Sequence, residues 1–150
     1  MIMLDTNICV YILRDRPIKL LEKLNAVGDV AISSIVYAEL LYGIELSPQK
    51  SQKARYEQFK QFVQHLIVVP WDEDAAKYYS QIRAVLKKEG TQIGNMDLLI
   101  GSHSRSLGVD LVTNNTREFK RIPGLQIQTK QASNRMTDIR SISPNFNDSP

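Results

Sequence analysis

The sequence has little cysteine and histidine, which limits the metal chemistry open to it. It contains one cysteine, Cys9, and two histidines, His65 and His103, whereas a zinc centre draws most of its ligands from these residue types. A single cysteine also excludes an intramolecular disulfide and is typical of a protein in the reducing cytosol. Because Cys9 lies between Ile8 and Val10, we interpret it as a small core residue and expect a cytoplasmic protein.

Other familiar features are also absent. Gly90 and Gly94 are isolated and no Gly-Lys-Ser/Thr follows them, which excludes a glycine-rich phosphate loop. The apolar runs are far too short to span a membrane, and residues 1–5 carry neither the basic region nor the long hydrophobic region of a secretory signal. The serines have no evident base and orienting acid, so a hydroxyl nucleophile has no support. We therefore expect no membrane association.

The composition that is present is that of a globular domain. Hydrophobic residues make up 43% and charged residues 23% of the 150 residues, enough for one domain with its own core. From about Gln131 the sequence is polar and loses hydrophobic periodicity, which predicts a folded domain over 1–130 and a flexible tail over 131–150. The net charge of +3 is compatible with a polyanionic partner.

Strand-like and helix-like segments alternate along the domain. Short apolar runs predict strands at 2–4, 30–33, 66–69, 110–113 and 125–128. Helical spacing and caps predict helices over about 7–14, 18–26, 34–46, 50–66, 73–88 and 95–107, the first of them capped by Thr6 or Asn7. This alternation is typical of an α/β fold with a mostly parallel sheet.

Four acidic residues are the strongest indication of chemistry. Asp5 directly follows the first strand, Glu39 lies in an apolar helix after the second, and Asp97 and Glu118 flank the fourth. Ligands of parallel α/β sheets bind at the carboxyl ends of the strands, so all four side chains are expected to reach one rim. Carboxylates in apolar surroundings are costly without a partner, and a hard cation such as Mg²⁺ or Mn²⁺ is the natural shared one.

Each acid also has a purely structural interpretation. Asp5 is suited to cap a helix, Asp97 to complement the dipole of the helix that it begins, and Glu118 to pair with a neighbouring arginine. Glu39 resists such an interpretation, because no basic residue lies three or four positions away and its helix, patterned as 35–41, should be largely buried. Only together do the four acids favour a metal site.

Short polar residues accompany the acids on the same rim. They are Asn7, Thr113, Asn114 and Asn115. Such side chains orient carboxylates or coordinated waters around a metal. They are equally suited to turn and cap chemistry, and both interpretations stay open.

Four segments that contain these residues resemble the signature segments of the PIN-domain family, and more closely the VapC-type toxins of bacterial toxin–antitoxin pairs. They are Met-Leu-Asp-Thr-Asn at 3–7, the Ser-Ser-Ile-Val-Tyr-Ala-Glu-Leu-Leu-Tyr-Gly segment at 33–43, Gly-Asn-Met-Asp-Leu-Leu-Ile-Gly at 94–101 and Leu-Val-Thr-Asn-Asn-Thr-Arg-Glu-Phe at 111–119. The resemblance covers about residues 1–130. It implies a PIN-like three-layer sandwich, in which helices flank a five-stranded parallel sheet of order 3-2-1-4-5.

The resemblance also implies an activity and partners. These are a Mg²⁺- or Mn²⁺-dependent endoribonuclease that hydrolyses RNA, with tRNA as a substrate class, acting as a homodimeric toxin of a type II pair and inhibited by a cognate VapB-like antitoxin. By position, Asp5, Glu39 and Asp97 correspond to the first three acids of the family. We expect Asp5 and Asp97 to bind the metal directly and Glu39 to contact it or a coordinated water. Many members have Asp where Asn115 stands, whereas others place an acid near Glu118, so the role of Glu118 stays open.

Two alternatives belong to other classes. One is a catalytically inactive PIN-fold module that binds RNA or acts as a scaffold, against which the retention of the acids argues. The other is an aspartyl-phosphate phosphatase with Asp5 as nucleophile. That chemistry calls for a second acid two residues on, where this chain has Asn7.

Overall fold

The computed structural model describes residues 1–129, which form five strands and seven helices. The strands are β1 (Ile2–Leu4), β2 (Val30–Ser33), β3 (Ile67–Val69), β4 (Asp110–Val112) and β5 (Ile127–Gln128). The helices are α1 (Thr6–Asp15), α2 (Ile18–Val27), α3 (Ser34–Glu45), α4 (Gln49–Val63), α5 (Glu73–Glu89), α6 (Asn95–Leu107) and α7 (Thr116–Phe119). The tail predicted over 131–150 lies outside the described residues.

The strands form one parallel sheet in the order β3-β2-β1-β4-β5. This confirms the predicted α/β fold and its strand order. β1 lies at the centre, with Leu4 paired to Val112 of β4. Because all strands are parallel, their carboxyl ends lie on the same side of the sheet, and those of β1 and β4 are adjacent.

Burial follows the position of each strand. The central strands β1 and β2 are apolar except for Ser33 at the end of β2, and both are buried throughout, as expected for strands covered by helices on both faces. At the edge of the sheet, Ile67 and Val68 of β3 stay exposed. No helix within residues 1–129 is long and apolar enough to cross a membrane.

Helix α1 begins as the structural interpretation of Asp5 predicted, and not with Thr6 or Asn7 as the cap. Its N-cap is Asp5, whose Oδ1 accepts a hydrogen bond of 2.8 Å from the backbone N–H of Ile8. The expectation that Thr6 or Asn7 would cap this helix was therefore wrong. The carboxylate that follows β1 directly already satisfies a free N–H of the first turn, so no later residue is required for it.

Two further predictions about helices need correction. Helix α3 is not largely buried, since within 35–41 only Val36 and Leu40 are buried and Ala38 is exposed, and Tyr42 beyond them is exposed as well. One stripe of the helix faces the core, while the apolar residues of the opposite face meet solvent. The segment after β4 contains α7, which the sequence did not predict because four residues are too few to show helical periodicity.

The tight packing of α6 on α7 gives a testable expectation about Gly101. A β-carbon built at Gly101 clashes with Cδ1 of Ile122 and lies 3.3 Å from the ring of Phe119. Gly101→Ala should therefore destabilise the protein by about 1–2 kcal/mol, measured by chemical denaturation. Ile122→Val removes the clashing atom and should restore much of this loss in the double variant. A fully stable Gly101→Ala protein would contradict the packing described.

Candidate active site

The site begins where β1 and β4 end beside one another. The backbone N–H of Asp5 donates to the carbonyl of Val112 at 3.1 Å, which extends the pairing of these strands by one residue. The next residue after β4 is Thr113, so Asp5 and Thr113 occupy adjacent positions on the rim. Two residues separated by more than a hundred positions are thus brought together by strand pairing alone.

Asp5 is almost completely buried, with 3% of its surface exposed. Both carboxylate oxygens accept hydrogen bonds, Oδ1 from the N–H of Ile8 and Oδ2 from the hydroxyl of Thr113. Burial nevertheless raises the pKa of Asp5, and the negative charge of Glu39 adds to the effect. Asp5 therefore caps α1 and also carries a charge that its surroundings do not fully compensate.

Glu39 projects toward Asp5 from α3, the helix that follows β2. Its Oε1 accepts a hydrogen bond of 2.8 Å from the hydroxyl of Thr6. Thr6 was considered only as a helix cap in the sequence, so its contact with Glu39 was missed. Its position next to Asp5 was the available signal. A groove of about 490 Å³ between α1, α3 and α4 opens beside Glu39.

Asp97 and Glu118 form the other half of the site. Asp97 lies in the first turn of α6, and Glu118 lies in α7. Asn115 donates to Oδ2 of Asp97 at 2.9 Å and also to Glu118. The backbone N–H of Gly94, at the N-terminus of α6, donates to Glu118 as well. Glu118 is therefore held against Asp97 by the unpredicted helix α7.

The carboxyl groups of Asp97 and Glu118 share a hydrogen bond, and their pKa values are shifted in opposite directions. Burial, the hydrogen bond with Glu118 and the nearby negative charges together raise the pKa of Asp97 to about 7. The hydrogen bond from Asp97 lowers the pKa of Glu118. In the metal-free protein below neutral pH, the pair therefore holds a proton on Asp97 rather than on Glu118.

The charges of the other three acids all act on Asp97. Besides Glu118, the charges of Asp5 and Glu39 also raise the pKa of Asp97. Within residues 1–129, however, no three of the His, Cys, Asp or Glu side chains are arranged as a ready-made metal cage. Mg²⁺ does not require one, since it is held by one or two carboxylates and keeps several waters. The hard oxygen donors and their excess of negative charge therefore fit Mg²⁺ or Mn²⁺.

Of the four polar residues predicted on the rim, two hydrogen-bond to the acids through their side chains and two are exposed. Thr113 and Asn115 hydrogen-bond to the acids, as described above. Asn7 is exposed, and only its backbone N–H donates to Asp5. Asn114 is exposed and is not among the described side chains that hydrogen-bond to the four acids.

Neither Cys9 nor His103 takes part in a competing site. Cys9 is fully buried, and burial together with the charge of Asp5 raises its thiol pKa well above the usual value, which disfavours the reactive thiolate. The ring of His103 is buried, and its Nδ1 lies 2.7 Å from the hydroxyl of Ser33. Cys9 is thus a core residue, as the sequence predicted.

Comparison with known proteins agrees with this geometry. Residues 2–125 match the model of the PIN domain. The chain is 39% identical over 127 residues to the tRNA(fMet)-specific endonuclease VapC of Shigella flexneri, covering 84% of this chain and 95% of the relative. It is 42% identical over 132 residues to Ribonuclease VapC2 of Rickettsia felis, with the same coverage of both chains.

Solved structures give the same result. A chain in the crystal structure of DNA-bound VapBC from Salmonella typhimurium superimposes with a TM-score of 0.82 at 38% identity, covering 87% of this chain and 99% of that chain. A chain of VapBC2 from Rickettsia felis, bound to a promoter DNA fragment, gives a TM-score of 0.80 at 41% identity, covering 86% and 98%. The chain therefore belongs to the PIN-domain family, in its VapC-type branch.

Proposed function

We propose that this protein is the endoribonuclease toxin of a type II toxin–antitoxin pair and that its activity depends on Mg²⁺ or Mn²⁺. The observation that carries the proposal is that carboxylates from distant parts of the chain meet near the carboxyl ends of β1 and β4, held by hydrogen bonds to Thr113, Thr6 and Asn115, and that the charges of the other three acids act on Asp97. Retaining so much negative charge in one place is costly unless a cation is bound there. The ribonuclease names of the relatives support the substrate class.

Each acid and its hydrogen-bond partner has a separate proposed role. Asp5 and Asp97 would hold the metal directly, with Glu39 contacting it or a coordinated water. Thr113 and Thr6 fix the carboxylates of Asp5 and Glu39 through their hydroxyls. The bound ion would supply charge stabilisation at the phosphoryl oxygen and an activated water for in-line attack.

Asn115 and Glu118 complete the arrangement around Asp97. The amide of Asn115 orients the Asp97 carboxylate. In the metal-free protein, Glu118 shares a hydrogen bond with Asp97, and a cation that binds there would take the place of the proton on Asp97. We propose Glu118 as part of the site, in direct contact with the metal or through a water.

The partner is proposed from the solved relatives, which are described as VapBC complexes. We propose a VapB-like antitoxin that inhibits this chain. The groove between α1, α3 and α4 is a suitable surface, because it combines apolar residues with Arg14 and Arg55 and opens beside Glu39. A segment bound there would lie close to the carboxylates. Formation of a homodimer and a cytoplasmic location stay predictions of the sequence.

The decisive experiment is cleavage of purified tRNA by the purified protein with EDTA, Mg²⁺ or Mn²⁺. Cleavage is expected only with metal, and the products should carry a 5′-phosphate and a 3′-hydroxyl, because water is the nucleophile. Adding the cognate antitoxin should suppress it. Metal-independent cleavage or a 2′,3′-cyclic phosphate would reject the mechanism, whereas RNA binding without any cleavage would favour an inactive PIN-fold module.

A further inference from the structure

A second pocket lies at the start of α6, the helix that carries Asp97. It has a volume of about 240 Å³ and opens between α5, the loop that follows it and the start of α6. Its lining residues are Arg83, Leu86, Gln92, Ile93, Asn95 and Leu98. Gly94, the residue before Asn95, lies against Glu118, since a β-carbon built at Gly94 would be 3.5 Å from Oε2 of Glu118. An RNA strand bound at the metal site would therefore pass close to this pocket.

The loop at 90–94 that forms one wall of the pocket is held by hydrogen bonds at two of its residues. Gly90 ends α5 with a φ of 68°, and the next N–H, that of Thr91, donates to the carbonyl of Leu86 at 2.9 Å. Arg121 then donates to the carbonyl of Gln92 at 2.9 Å. These two hydrogen bonds hold the loop against α5 and against Arg121, on the side where the pocket opens.

A chain of hydrogen bonds fixes the amide of Asn95. Arg83 Nη1 donates to the hydroxyl of Tyr79 at 2.8 Å, and that hydroxyl donates to Oδ1 of Asn95 at 3.0 Å. Because Tyr79 already accepts from Arg83, its proton is directed to Asn95 and determines the amide orientation. The ring of Tyr79 is held in turn by an edge contact with Trp71, with ring centroids 5.9 Å apart.

This arrangement leaves the pocket with a defined chemistry. With Oδ1 of Asn95 occupied, its NH₂ group is the donor presented to a ligand. Leu86, Ile93 and Leu98 provide apolar contacts, and the guanidinium of Arg83 provides a planar cation at the rim. Proteins recognise unpaired RNA bases by combining apolar or planar contacts with amide hydrogen bonds to the base edge.

We propose that this pocket binds one unpaired nucleobase next to the scissile phosphate and that Asn95 reads a carbonyl or ring-nitrogen acceptor on its edge. Tyr79 and Arg83 are positioning residues that act through Asn95. The pocket would then set the nucleotide preference at the cleavage position. This inference rests on the proposed ribonuclease function.

The test uses a pool of RNA oligonucleotides randomised around an unpaired segment, with the product ends sequenced. The wild type is expected to prefer certain bases at one position adjacent to the cut. Asn95→Ala and Tyr79→Phe should each reduce that preference by about 5-fold or more, since each removes one hydrogen bond from the relay or from the base. Tyr78→Phe, the same change on the neighbouring residue, is the matched control and should leave the preference intact.

Two outcomes overturn the proposal: a wild type without preference next to the cut, or unchanged preference in both variants. The rise in melting temperature on adding Mg²⁺ should be the same in Tyr79→Phe as in the wild type, which separates base recognition from damage to the metal site. If the wild type does not cleave RNA, the same pool is instead selected for binding to the wild type and to Asn95→Ala, and the bound sequences are compared. Base preference lost in Asn95→Ala then supports the pocket although the nuclease proposal fails, and no difference between the two proteins rejects it.

Discussion

Replacing Asp97 by Asn is expected to slow RNA cleavage by on the order of 10²-fold or more. The change removes a negative charge from the site but keeps a side chain of the same shape, which can still contact Asn115. Single-turnover cleavage at saturating Mg²⁺ measures the effect. Asp74→Asn is the matched control, because Asp74 also lies in the first turn of a helix. If Asp97 served only the helix dipole, the two variants would behave alike.

The same variant should change stability in a direction that depends on pH. The pKa of Asp97 is raised from 3.8 to about 7 in the folded protein, so the folded state binds this proton more tightly than the unfolded state does. In the metal-free protein, this contribution to stability is fully present below the unfolded pKa and is lost as pH rises toward 7. Because Asn does not bind or release this proton, Asp97→Asn does not lose this stability as the pH rises.

At pH 8 in EDTA, Asp97→Asn is therefore expected to be more stable than the wild type by about 1 kcal/mol, or about 3 °C. This stability difference is well below the free energy that corresponds to the full pKa shift of Asp97, because Asp97 is partly exposed and the pKa of Glu118 is shifted in the opposite direction. Adding Mg²⁺ should raise the melting temperature of the wild type and leave the variant nearly unchanged. A full metal response in Asp97→Asn would contradict its assignment as a ligand.

Asp5 allows its two roles to be separated by two substitutions. Asp5→Asn should preserve the start of α1, since Asn is as good an N-cap as Asp, but should reduce cleavage by on the order of 10²-fold or more. Asp5→Ala should lose the same activity and in addition about 1 kcal/mol of stability through the lost cap. Cleavage assays and chemical denaturation of both variants give the comparison.

The control for Asp5 is Asp72→Asn. Asp72 caps α5 through its hydrogen bond to the N–H of Ala75, but it is not one of the four acids. This variant should retain both cleavage and stability. Full activity in Asp5→Asn would mean that Asp5 is a helix cap and nothing more, and the metal site would then have to be assigned to the other carboxylates.

The sequence predicted the fold better than it predicted local detail. Buried strands such as Ile2–Leu4 are continuous apolar runs, and their alternation with helices indicated a parallel sheet, which the structure confirms. The short helix α7 and the exposed face of α3 were not predicted. A four-residue helix shows no periodicity, and an apolar helix does not reveal which of its faces the core covers.

By itself, the sequence determined which residues are available for chemistry. It provides carboxylates after strand ends and almost no zinc ligands, because residue type and strand position can be read from local pattern. Only the tertiary structure decided how these groups meet: that Thr6 holds Glu39, that α7 brings Glu118 to Asp97, and that α5 and the start of α6 enclose a pocket. Such contacts depend on the packing of segments far apart in the chain, and no local pattern encodes their distances.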